Sequence, residues 1–205
     1  MEIKSFLEKL ALRSPTPGGG SACALAGALS ASLVSMVAGL SSPKGDPKKK
    51  EMEEIIKKAL VIQKRLFRAI DEDAKYFDKV MNAFRLPKNT EKELRYRSKM
   101  IQKAYQNATI IPLLVCQHSI QLLECSKILI LKGNPNAISD AGVAAFLANA
   151  ALAGGLLNIG TNLIPVTEKK FLREMGLLTK RCAKKRNNLT GKILKLLKVF
   201  SLEGS

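Results

Sequence analysis

The sequence predicts an all-α fold, a single-domain bundle of five to seven helices over residues 1–205, and three observations carry that prediction. Apolar residues recur at three- and four-residue spacing, with capping and breaking residues between the runs. No stretch shows the strict polar/apolar alternation of a half-buried strand. Hydrophobic residues make up 46% of the chain but aromatics only 5%, with no Trp, so the core is built from Leu, Ile, Val and Ala. Such side chains suit close helix packing better than sheet sandwiches. Two of the expected helices are long and amphipathic, and two are Ala/Gly-rich and expected to be buried.

In order, Ile3, Phe6, Leu7 and Leu10 make a short amphipathic helix, stopped by Pro15, Pro17 and three glycines. Ser21 is placed to cap the next helix, Ala22–Leu40. A loop follows, with Asp46 as N-cap and Pro47 at the first helical position of a long helix running from about Lys48 to Phe84. Thr90 and Glu93 have the spacing of a capping box, opening a helix that runs towards Leu131. Pro112 should kink or split it, because proline lacks the N–H of the ladder and its ring crowds the preceding turn. Gly133–Asn136 is a turn, Ser139 and Asp140 start a helix ending near Pro165, and Thr167 and Glu168 open a basic last helix reaching about Phe200.

Ala22–Leu40 and Ala141–Ile164 are apolar nearly all round, and each has the length of a membrane span. The rest of the chain is amphipathic and charged, and Asn149, Asn158 and Asn162 interrupt the second segment. Small residues along a helix let backbones approach closely, so a buried central pair or a helical dimer interface is the better reading, and no membrane is expected.

Thirty-four Lys and Arg against 17 Asp and Glu leave a formal charge of +17, which favours anionic partners: nucleic acid, anionic membrane or a multiply carboxylated small molecule. Cys23, Cys116, Cys125 and Cys182 lack CxxC spacing, and His118 is the one histidine, so no metal set is expected. Reduced cysteines acting as small hydrophobes, and an N-terminus without a signal-peptide core, point to a cytoplasmic protein.

One residue breaks the pattern of the long helix. Its apolar seam steps through Leu66, Ile70, position 73, Phe77, Val80 and Phe84, and position 73 is Asp. A carboxylate on a core-facing stripe is costly to bury and has its pKa raised. Two readings stay open: an Asp paired with a nearby Lys or Arg, or a general acid/base working near neutral pH. Asn158 and Asn162, one turn apart, present amides either to a polar heterocycle or to each other and a neighbouring helix. Gly18, Gly19, Gly20 and Ser21 offer backbone N–H groups at a helix start, an anion or carbonyl site that lacks the lysine and spacing of a phosphate loop. Asp140 reads as a helix cap. The basic stretch Lys180–Lys198 carries Leu189, Ile193, Leu196 and Leu197 on one side, as a solvated amphipathic helix does.

Four blocks carry a resemblance. Pro15-Thr16-Pro17-Gly18-Gly19-Gly20-Ser21 before an Ala-rich helix resembles the opening motif of the cyclodeaminase domain of the formimidoyltransferase-cyclodeaminase family. Asp71-Glu72-Asp73-Ala74 with Leu86-Pro87-Lys88-Asn89-Thr90 resembles its second block. Ser139–Ala145 and Leu157–Leu163 resemble the third and fourth, in the family's order, across about Ser5–Phe171.

The resemblance implies an all-α homodimer with its active site in a cleft near the dimer interface, and Asp73 as the residue carrying the chemistry. It implies a stand-alone form with one of two activities: a 5-formimidoyltetrahydrofolate cyclodeaminase or a 5,10-methenyltetrahydrofolate cyclohydrolase. The tetrahydrofolate derivative would be substrate, with no permanently bound cofactor and no metal. Gly18, Gly19, Gly20, Ser21, Asn158 and Asn162 would shape the pterin pocket, aided by Asp140. Lys88 and Arg97 would meet the glutamate tail of a folate, polyglutamylated or not. Nucleic acid is not expected as a partner; a non-enzymatic basic module binding nucleic acid or an acidic partner is the alternative reading.

Overall fold

A computed structural model of the chain describes residues 2–41 and 47–198. Among these, seven α-helices and one 3-10 turn are formed and no strand: α1 (Ile3–Leu10), α2 (Gly19–Leu40), α3 (Lys49–Phe84), α4 (Glu91–Ala108), α5 (Ile110–Lys132), the 3-10 turn (Pro135–Ala137), α6 (Ile138–Leu163) and α7 (Lys169–Leu197). The expected cap Asp46 lies outside the described residues. Thr90 caps α4 with a full capping box: its side chain accepts from Glu93 N–H while the Glu93 carboxylate accepts from Thr90 N–H.

Two local expectations are corrected. Ser21 does not cap α2, which starts two residues earlier at Gly19 without a side-chain cap. Ser21 sits in the first turn, fully buried and turned towards α3. Ser139 and Asp140 likewise lie inside the first turn of α6, and the preceding turn is held by the Asn134 side chain, which accepts from Asn136 N–H at 2.9 Å.

Pro112 splits the expected long helix three residues ahead of itself, at Thr109. A helix continuing through it would pair the Ala108 carbonyl with residue 112, and proline has no N–H to give. That carbonyl is taken instead by Asn162 Nδ2 at 2.9 Å, from α6. One amide thus repairs the break that one proline makes.

The core is a central antiparallel pair, α2 and α6, with α3 flanking α2, α5 behind both, and α7 against α5 and α6. Glycine permits the close approach. A Cβ on Gly27 would lie 2.7 Å from Leu66 Cδ1, one on Gly155 2.7 Å from Cys116 Sγ, and one on Gly154 would collide with Cys23 Sγ. Ser30 Oγ adds a 2.7 Å bond to the Ala144 carbonyl across the pair. Met52, Ile62, Leu66, Leu122, Leu129 and Leu152 are fully buried around this axis.

The Ala/Gly-rich pair is buried on one side only. On the other, Leu29, Met36 (43% exposed), Leu40, Val143, Phe146 (49%) and Leu157 (74%) make an apolar face open to solvent. By length and composition alone, three helical runs would suffice to cross a membrane: Gly19–Leu40, Glu91–Lys132 and Pro135–Leu163. The basic α7 docks through Ile193, with Leu189, Leu196 and Leu197 against the core, and Arg186 Nε donates to Asn149 Oδ1 at 2.7 Å.

Candidate active site

At the first turn of α2 the chain approaches α3 so closely that a Cβ on Gly20 would overlap the carboxylate of Asp73. This is the seam position singled out by helical periodicity, and its neighbours bear on the first of the two open readings, an ion pair. Among the described residues no Lys or Arg ion-pairs with it. Its partner is Ser21, whose Oγ lies 3.3 Å from Asp73 Oδ2 and 2.8 Å from the Ile70 carbonyl. Burial pushes the Asp73 pKa up, because an ionised carboxylate is poorly solvated there, and the Ser21 bonds pull it part of the way back. The neighbouring acids are placed differently: Asp71 is exposed, and Glu72 is paired with Arg65 at 2.7 Å.

Asp73 opens into a cavity of about 480 Å³ between α2, α3, α4 and α6. One wall is the turn, with Pro15, Thr16, Gly18, Gly19 and Gly20. A second is the α3–α4 pair, with Tyr76, Phe77, Val80, Tyr105 and Ala108. The third is the end of α6, with Asn158, Thr161, Asn162, Ile164 and Pro165. A small polar patch within an apolar, aromatic-sided cleft is the usual make-up of a site for a flat heterocycle.

The Ser21 N–H at the start of α2 favours the ionised form of the protein's own carboxylate. Asn158 stands opposite the turn, its Nδ2 3.8 Å from where a Cβ of Gly19 would be, and it donates to the Gly154 carbonyl at 2.9 Å. Asn162 lines the same cavity while tied to Ala108, so one of its two amide protons is already used. The two amides do not bond each other.

Gly18, Gly19, Gly20, Asp73, Asn158 and Asn162 are therefore brought together, with Ser21 directly behind them. Three other expected residues are not. Arg97 is turned onto the end of α3, where Nε and Nη2 donate to the Phe84 carbonyl at 3.2 and 3.1 Å. Lys88 is exposed in the α3–α4 connection and outside the cavity lining. Asp140 lies eighteen residues before Asn158 on the same helix, about 27 Å away at 1.5 Å per residue.

Tyr76, Tyr105, Thr161, Ile164 and Pro165 are cavity residues that pattern reading missed. Tyr76 was within reach, since it shares a face with Asp73 one turn earlier. Tyr105 and Pro165 arrive from elements distant in sequence, with Gln102 Nε2 holding the Pro165 carbonyl at 2.7 Å. Lys79 is exposed and outside the lining, with its Nζ 4.7 Å from the Tyr76 ring.

Fold and cavity together define an all-α domain built around one desolvated carboxylate in a cleft sized for a heterocycle. The chain belongs to the formiminotransferase-cyclodeaminase family, whose characteristic sequence pattern matches residues 2–180. It is 40% identical over 176 residues to a methenyltetrahydrofolate cyclohydrolase of Methylorubrum extorquens, covering 84% of each chain. It is 30% identical over 171 residues to the formimidoyltransferase-cyclodeaminase of Rattus norvegicus, covering 82% of this chain but only 32% of that protein. The crystal structure of a formiminotetrahydrofolate cyclodeaminase from Thermotoga maritima superposes with a TM-score of 0.88 at 27% identity, over 98% of this chain and 97% of that one.

Proposed function

We propose that this protein catalyses C–N ring chemistry on a tetrahydrofolate, hydrolysing the 5,10-methenyl form to the 10-formyl form with Asp73 as the proton shuttle. The observation that carries the reading is the Asp73 carboxyl, half-buried and free of a cationic partner among the described residues, facing the aromatic-walled cavity. The 40% identity over most of both chains favours hydrolysis in particular. Water adds to the methenyl carbon while Asp73 takes one of its protons. The neutral tetrahedral adduct then collapses as Asp73 returns that proton to N5, the C–N5 bond breaks, and the hydroxyl proton leaves as the formyl group forms. A group that first accepts and then donates works best with a pKa lifted towards the working pH, the direction in which burial moves Asp73. Tyr76 and Tyr105 flank the pterin, and the Asn158 and Asn162 side-chain oxygens accept from its amino and ring N–H groups.

Cyclodeamination is the second reading, favoured by the close superposition on a cyclodeaminase. There N10 attacks the formimidoyl carbon and ammonia leaves, and the same carboxyl moves the proton. Incubation with 5-formimidoyl- and with 5,10-methenyltetrahydrofolate, following methenyl absorbance and ammonia release, separates the two. Turnover of neither would refute the assignment.

The same proposal takes the protein as a homodimer in a reducing cytoplasm. The exposed stripe of α2 and α6 supports the dimer: it is continuous and apolar, and it runs to Leu157 beside Asn158 at the cavity edge. For the glutamate tail we place Lys79, beside the Tyr76 ring, ahead of Lys88 and Arg97.

A further inference from the structure

We propose that Ser21 is a positioning residue whose hydroxyl changes partner with the protonation state of Asp73, so that both forms of the proton shuttle stay in one place. The inference rests on Asp73 being the shuttle of the reaction proposed above. Ser21 Oγ has a single proton and two acceptors within reach: the Ile70 carbonyl at 2.8 Å and Asp73 Oδ2 at 3.3 Å. When Asp73 is protonated, its O–H donates to Ser21 Oγ while the serine proton stays on Ile70, giving a three-member chain. When Asp73 ionises, the serine proton turns to Oδ2, where the helix start also favours a negative charge. Releasing Ile70 costs little, because its carbonyl lies mid-helix in α3 and faces the N–H of Ala74 in the helix ladder.

The surroundings make Ser21 the adjustable partner. Asp73 is met by Cys23 from α2, by Tyr76 from its own helix, by Tyr105 across the cavity from α4, and by the uncharged Asn158 and Asn162 from α6. None of these carries a fixed positive charge. Gly20 completes the device, since any side chain there would occupy the carboxylate's place. Ser21 is fully buried, so bulk water does not take over its role.

The test is the titration of Asp73 in Ser21→Ala and Ser21→Thr, followed by NMR of carboxyl-labelled aspartate with Asp73→Asn assigning the signal, alongside the pH profile of kcat/KM. Donation to the ionised form is the stronger of the two bonds. Ser21→Ala should therefore move the Asp73 midpoint and the acid limb of the profile upward together by about one pH unit, and Ser21→Thr should return both towards wild type. An Asp73 midpoint unmoved in Ser21→Ala overturns the proposal. If Ser21→Ala does not fold by circular dichroism, Ser21→Cys, with a weaker donor and acceptor in similar volume, should shift the midpoint in the same direction; no shift there also overturns it. Should wild type turn over neither folate, the proposed reaction fails, while the NMR midpoint still decides the role of Ser21.

Discussion

Replacing Asp73 by Asn separates catalysis from stability at one position. The amide is nearly isosteric, and its oxygen still accepts from Ser21 Oγ–H, so the contact at the first turn of α2 survives. What is lost is the exchangeable proton. General acid–base catalysis contributes about 10²–10⁴-fold, so turnover should fall by that factor, about 3–5 kcal/mol of barrier at 1.36 kcal/mol per tenfold. Stability should move the other way. Burial raises the folded-state pKa of Asp73 above its unfolded value, so the protonated form is the one the fold prefers. Its contribution is fully present below the unfolded pKa and is lost as pH rises through the folded one. The neutral asparagine escapes that loss. Thermal melts should show wild type losing ground to Asp73→Asn as pH rises through the titration midpoint of Asp73, while methenyl absorbance reports the rate. A variant both inactive and less stable above that midpoint would mean that Asp73 is a structural carboxylate, and the acid/base assignment would fall.

Three further outcomes follow from the packing. Leu66→Ala removes a fully buried side chain seated on Gly27 and should cost about 3–5 kcal/mol in urea unfolding. Asn162→Leu leaves the Ala108 carbonyl without its donor and should cost about 1–3 kcal/mol; Pro112→Ala restores an N–H to that carbonyl, so the double mutant should be markedly less destabilised than the sum of the singles. Met36→Lys with Phe146→Glu charges the exposed α2–α6 face, and sedimentation should show a monomer where wild type sediments as a dimer; a wild-type monomer would refute the proposed interface.

Much of this molecule is local in origin. Helix starts and stops follow from caps, prolines and 3.6-residue periodicity, which act within a few residues of one another, so the Thr90 box and the break near Pro112 were legible from the chain alone. Asp73 was legible for the same reason, since a charge on an apolar stripe is visible wherever that stripe packs. What periodicity leaves open is the partner across the interface. That no cation among the described residues ion-pairs with Asp73, that Ser21 serves it instead of capping its own helix, and that Asn162 mends the proline break all depend on which faces of α2, α3, α4 and α6 come together. Lys88, Arg97 and Asp140 show the same limit: Arg97 is held at the Phe84 carbonyl beyond the cavity, Lys88 is exposed in the connection, and Asp140 sits at the far end of α6 from Asn158. The sequence by itself determined the helices and the one carboxylate out of place among them. Tertiary packing alone decided that this carboxylate would face a cavity, because that outcome rests on long-range contacts between helices that no local pattern encodes.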